Sequence, residues 1–435
     1  MKWAFITTQS EANSTHLARS ANPPAARLAP LLMLAVLTGL ATALTAPAAA
    51  QTFRVLHKFR GSPKDGAVPL GGLLMDAAGN LYGTTLQGGK YSSCQDSDGV
   101  GCGIVFKLDT NGVETVLHSF NGSDGAGSSA TLIMDSNGDL YGTAAVGGGN
   151  GCSSGGSVGC GVVFKLSGHK ETVLHRFTGG EDGAWPWAGL VMDASGAFYG
   201  TTNAGGNYGG GVVFKLVGTK ETVMHAFTGG EDGSGPGEGT LIDANGTLYG
   251  TATYGGDINC DYPNPCGVVF KLVGREETLL HAFKGPPDGM YPAGGLFMDA
   301  TGNLYGTTAD GGQPDNTGTV FEVSASRKEH VLYRFRSPYG KRRDGFSPEA
   351  GVARDAQGNL YGTTLEGGLH GGGILFEITA DGEERILHKF CSQIDCADGS
   401  NPMGDLIMDA NGNLYGTASN GGGHGYYGVV FELTP

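Results

Sequence analysis

Charge is scarce in this 435-residue chain: Asp, Glu, Lys and Arg together make up 16% of it. Trp is scarcer still, with three residues. After residue 50 no apolar run is long enough to cross a bilayer, and no stretch of helical period has useful length. Walker loops, dinucleotide fingerprints, zinc-binding helices and nucleophile elbows are all missing. The Gly-Gly-Gly runs open no helix, so they cannot hold phosphate at a helix N-terminus. Basic residues are in deficit, 27 against 42 acidic, which makes nucleic acid and anionic lipid poor partners. Disorder is excluded by the low charge and the 39% apolar content.

What is present begins with a leader. Arg27 precedes the uncharged run LAPLLMLAVLTGLATAL, and TAPAAA supplies a small-residue cleavage site ending at Ala50. Residues 1–50 read as a secretory signal peptide and 51–435 as the exported domain. The competing reading is an uncleaved anchor, for which the apolar core is short. Cleavage removes Lys2, Arg19, Arg27 and Glu11, leaving 24 basic and 41 acidic residues, a net of −17. The expected product is periplasmic or extracellular, monomeric and free of the membrane.

All eight Cys follow the leader, in four close pairs: Cys94 with Cys102, Cys152 with Cys160, Cys260 with Cys266, and Cys391 with Cys396. Spacings of eight, eight, six and five favour local disulfides in an oxidising compartment. Zinc is the alternative, but no His cluster accompanies the pairs.

The pattern Leu/Phe-Tyr-Gly-Thr occurs seven times, with Tyr at 82, 141, 199, 249, 305, 361 and 415. One unit, residues 189–227, reads GLVMDASGAFYGTTNAGGNYGGGVVFKLVGTKETVMHAF. It contains four strand signals, GLVMD, AFYGTT, GVVFKL and ETVMHAF, each bounded by Gly, Asp or Asn. Asp-x-x-Gly between the first two marks a tight hairpin. Four antiparallel strands in about 55 residues make one propeller blade. The first three signals each occur seven times. The fourth reaches seven only if FRVLHKF, residues 53–59, is counted, because the last unit stops after GVVFEL. The expected fold is therefore an all-β, seven-bladed propeller whose N-terminal strand completes the last blade.

Alternating strands put the short hairpins on one face. The long second-to-third loops and the links between blades lie on the other, with all four Cys pairs. Seven Asp-Gly pairs lie in the links, at Asp65, Asp124, Asp182, Asp232, Asp288, Asp344 and Asp398. They read either as a ring of carboxylates around the channel mouth, able to hold Ca²⁺, or as plain turns. Six fourth strands carry His two residues before Phe: His57, His118, His175, His225, His281 and His388, with Tyr333 in the seventh. These read as packing residues whose rings hydrogen-bond. Trp185 and Trp187, in AWPWAG, could bind a sugar ring or a partner, or pack over the central opening. Lys341, Arg342 and Arg343 offer an anion contact or a solvated loop.

The motifs GLLMDAAGNLYGTT, GIVFKL and ETVLHSF resemble the GloVer tandem repeat of secreted bacterial proteins, the choice-of-anchor tandem repeat GloVer-containing proteins, over about residues 53–435. MDAAGNLYGTT is also similar to the first hairpin of NHL-type blades. The resemblance implies an exported protein with no assigned activity and brings no catalytic residues. Many relatives carry a C-terminal surface anchor; VVFELTP has no such signature. The expectation is a non-catalytic module binding a glycan or protein on the variable face, without a required cofactor. The alternative is a propeller enzyme, a metal-assisted hydrolase or polysaccharide lyase working at the channel mouth. A third reading is a structural component of the cell envelope.

Overall fold

The computed structural model describes residues 51–434, apart from 92–93, 95–100, 150, 155–156, 238, 258–259, 261–264, 313–314, 337–343 and 424. Seven antiparallel sheets follow one another around an axis, and each repeat unit folds as one of them. In the third blade the strands run Val191–Met192, Phe198–Thr202, Val212–Val217 and Lys220–Ala226, from the axis outward. The fifth blade gains an additional strand, because Gly289–Pro292 of the preceding link pairs with an extended second strand, Leu304–Gly311.

The first hairpin is built by its Asp. Asp193 Oδ1 accepts the amides of Ser195 and Ala197, and Oδ2 accepts the Tyr199 hydroxyl at 3.0 Å. The same Asp-to-Tyr bond recurs in the other six blades. The turn residue and the Tyr-Gly-Thr strand are thus one device. The Gly of that strand is required by close approach. A Cβ on Gly200 would stand 2.7 Å from the Phe214 ring, which lies against it from the third strand.

In the third blade's third strand Val212, Val213, Phe214 and Leu216 are buried, Lys215 is half-buried and Val217 is exposed, so the strand reads as an apolar run broken by one charged residue. Each outer strand leads into a buried Phe that meets the third-strand Phe of the next blade edge to face. The pairs are Phe120–Phe164, Phe177–Phe214, Phe227–Phe270, Phe283–Phe321, Phe335–Phe376, Phe390–Phe431 and Phe59–Phe106. Their centroids are 5.1–5.2 Å apart, and each pair is worth about 0.5–1.5 kcal/mol beyond its buried area.

Phe59–Phe106 is the closing member of that series. Residues Thr52–Lys58 pair antiparallel with Val429–Thr434, from Thr52 opposite Thr434 to Lys58 opposite Val429. The N-terminal strand is therefore the outer strand of the seventh blade, as the strand count requires. Thr417 of that blade donates to the Gly71 carbonyl of the first. The same clip joins blades one and two through Thr84 and Ala130, and blades two and three through Thr143 and Ala188.

Candidate functional site

The links that bring the chain inward share one strained residue. Val68, Trp185, Tyr291, Ser347 and Asn401, each just before a Pro, have φ of 54–60°, and Gly127 and Gly235 occupy the same place elsewhere. This conformation is costly for residues other than Gly. It is held by the second-to-third loop of the preceding blade: the amide of Trp185 donates to Cys160, that of Gly127 to Cys102 and that of Tyr291 to Cys266. The disulfides Cys94–Cys102, Cys152–Cys160, Cys260–Cys266 and Cys391–Cys396 all form. The first three thus brace the loops that fix the links. The fourth lies within a link.

Beyond these turns the links converge on the axis. Gly72, Thr131, Gly189, Gly239, Gly295, Gly351 and Asp405 are equivalent positions in the seven units, and Asp405 alone is charged. Its Oδ1 accepts the Gly351 amide at 2.6 Å, reaching from the last blade to the sixth. Burial pushes this carboxyl above the ordinary range, against the pull of the Gly351 and Gly295 amides. It lines a cavity of about 320 Å³ that also takes in Leu70, Ser129, Thr131, Trp187 and Met403. Trp187 is 38% exposed there, and its carbonyl accepts the Ser129 hydroxyl.

The two Trp part company. Trp187 lies at the channel mouth, whereas Trp185 packs against the core between the second and third blades, with Cys152 and Phe177. Lys341, Arg342 and Arg343 lie outside the described residues. Asp405 was legible only as a break in the repeat, a charged residue in Gly-Asp-Leu where five of the other units carry Gly and the second carries Thr131.

The seven Asp of the Asp-Gly pairs do not ring the channel. Each turns outward, to its own outer strand, and caps the turn that follows it. Asp65 accepts the amides of Arg60 and Gly66, Asp124 that of Asn121, Asp182 that of Thr178, and Asp232 that of Thr228. Asp288 accepts Lys284 and Gly289, Asp344 accepts Arg336 and Gly345, and Asp398 accepts Ser392 and Gln393. Geometry thus replaces the carboxylate ring with seven separate turns.

Beside each turn stands the outer-strand His. Nε2 of His118, His175, His281 and His388 lies 3.1–3.3 Å from its Asp. Tyr333 donates to Asp344 instead, at 2.8 Å. A Glu four residues before the His completes the group from the next blade, as Glu114 does beside Asp65. Burial, and then the Asp65 charge, push Glu114 up to about 8; burial and the Asp124 charge push Glu171 to about 7. The sequence signal for these Glu was the recurring Glu-x-x-x-His, which strand patterning alone does not single out.

A closed ring of seven like sheets, with a small asymmetric seat on its axis, defines a tandem-repeat β-propeller. The chain belongs to the Gloeobacter/Verrucomicrobia repeat family, which it matches over residues 38–262, 151–345 and 261–435. None of the curated proteins is similar to it in sequence. Among solved structures it is similar to PorZ, a bacterial surface component of the type-IX secretion system of Porphyromonas gingivalis. The identity is 15% and the TM-score 0.49, covering 86% of this chain and 47% of that one. A gluconolactonase of Xanthomonas campestris gives 13% identity and a TM-score of 0.36, covering 62% and 78%. A luciferin-regenerating enzyme gives 12% and 0.41, covering 88% and 95%. Likeness at this level says nothing about activity. Four disulfides and the family fit an extracellular protein. Among the described residues no helix is long and apolar enough to cross a membrane.

Proposed function

We propose that the protein is a non-catalytic binding module that takes a neutral glycan at the channel mouth on the link face. The observation that carries this reading is Trp187, an exposed indole at the edge of a cavity that also offers Asp405, Ser129 and Thr131. A sugar presents an apolar C–H face to such a ring and hydroxyls to such polar groups, and a small concave seat with few polar groups suits it. Six units place other residues where Trp187 stands, so the seat is not a by-product of the repeat. The acidic surface favours a neutral ligand over an anionic one. An enzyme acting here would need a second titratable group or a metal beside Asp405. Among the described lining residues Asp405 is the one titratable side chain.

A glycan array with the exported chain, followed by calorimetry on the best ligand, tests the reading. Trp187→Ala is expected to weaken binding at least tenfold with the melting temperature unchanged. Binding that survives this change, or an array with no ligand, overturns it.

A further inference from the structure

We propose that His57, Asp65 and Glu114 bind one divalent transition-metal cation at the junction that closes the ring. His57 belongs to the N-terminal strand, Asp65 to the first link and Glu114 to the outer strand of the first blade. Their ligand atoms all lie within 4.8 Å of one another. His57 Nε2 is 3.4 Å from Asp65 Oδ2. Two ligands of one tetrahedral Zn²⁺, each about 2.0–2.1 Å from the ion, stand about 3.3–3.4 Å apart.

Two of the three donors are left without a well-formed hydrogen bond. His57 Nε2 and Glu114 Oε1 are both shut off from solvent, and the group they face is the Asp65 carboxylate, 3.4 Å from His57 Nε2. A buried carboxylate oxygen without a donor, beside a second carboxylate, is unfavourable by several kcal/mol unless a cation or a proton compensates it. One divalent cation balances the two carboxylates and uses both orphaned atoms. One imidazole and two carboxylates suit Zn²⁺ and its transition-metal neighbours, whereas Ca²⁺ needs six to eight oxygens. A solvent-open space of about 520 Å³, bordered by the three donors with Arg60, Lys64 and Gly112, gives an ion a way in.

Other junctions sharpen the choice. His118, Asp124 and Glu171, and His281, Asp288 and Glu329, come equally close together, but there the His already bonds to its Asp. At the fourth junction His225 Nε2 stands 3.3 Å from Asp232 Oδ2, and like Glu277 Oε1 it makes no well-formed hydrogen bond, yet the three donors do not come within the same reach.

The test uses the exported chain, stripped with a chelator and titrated with ZnCl₂ by calorimetry, and with CoCl₂ by visible absorption. The expected result is one Zn²⁺ bound per chain and a low-symmetry Co²⁺ spectrum. Both are lost in His57→Gln and in Glu114→Gln, and both are kept in His281→Gln. Glu114→Gln removes a charge while keeping the shape, so it guards against a variant that fails to fold. No uptake by the parent chain, or uptake unchanged in both variants, overturns the proposal. In that case a proton held between Glu114 and Asp65 is the compensating charge.

Discussion

Phe53 stacks on His388, with ring centroids 3.6 Å apart and planes within 3°. It occupies the position at which the six other outer strands carry Glu. At this one junction a flat apolar ring covers the imidazole, and Asp398 beneath it is fully buried with its bonds satisfied by Ser392, Gln393 and His388. The strand that arrives from the far end of the chain is thus fastened by packing where the other junctions use a carboxyl group.

Phe53→Ala is therefore expected to cost about 2–4 kcal/mol, as for loss of a large packed ring. Urea unfolding measures it. Limited proteolysis should cut first near residues 52–60. Deleting that segment leaves Val429–Thr434 as an exposed, apolar edge, and the product should aggregate.

Glu114 governs one pH response. Its folded-state pKa of about 8 lies above the ordinary 4.5. Its contribution to stability is complete below about pH 4.5 and is lost as the pH rises through about 8. In metal-free buffer, then, the parent chain should lose about 1–2 kcal/mol relative to Glu114→Gln between pH 5 and pH 9, after allowance for partial solvent screening. Paired thermal melts across that range check it; parallel curves would refute the assignment.

Asp299 governs the opposite response. Burial works against it, but bonds from Thr301, Asn303 and Tyr305 hold its carboxyl down to about 2. The stability it supplies is present above the ordinary 3.8 and disappears as the pH falls through about 2. Asp299→Ala should cost about 1–2 kcal/mol at pH 7 and progressively less on acidification, read from urea midpoints at each pH.

The Cys152–Cys160 bridge closes a loop of eight residues, for which chain entropy gives about 2–2.5 kcal/mol. Replacing both with Ala should lower stability by about that amount. It should also loosen Trp185, whose amide rests on the Cys160 carbonyl. Calorimetry reads the first effect and indole fluorescence the second.

The architecture was legible because it is written seven times. Asp-x-x-Gly, Tyr-Gly-Thr and the terminal strand count each report a local rule, and ring closure follows from the one missing strand. The disulfides followed from spacing and compartment. The Asp-Gly pairs were harder. A link has no period of its own, so nothing in the order of residues 61–69 tells whether Asp65 turns to the axis or to His57. Glu114 was hidden for a related reason: its partners belong to another blade, and contacts across a junction leave no mark on spacing within a unit.

Thr52 and Thr434 face each other at the ends of their strands, on the side away from the links. In a chain begun at residue 52, a few flexible residues joining the two would make the polypeptide circular, and it could be reopened at another hairpin without disturbing the cavity. A fusion partner or tether attached directly at Thr52 or Thr434 would leave from that same spot, with the opening around Trp187 pointing the other way.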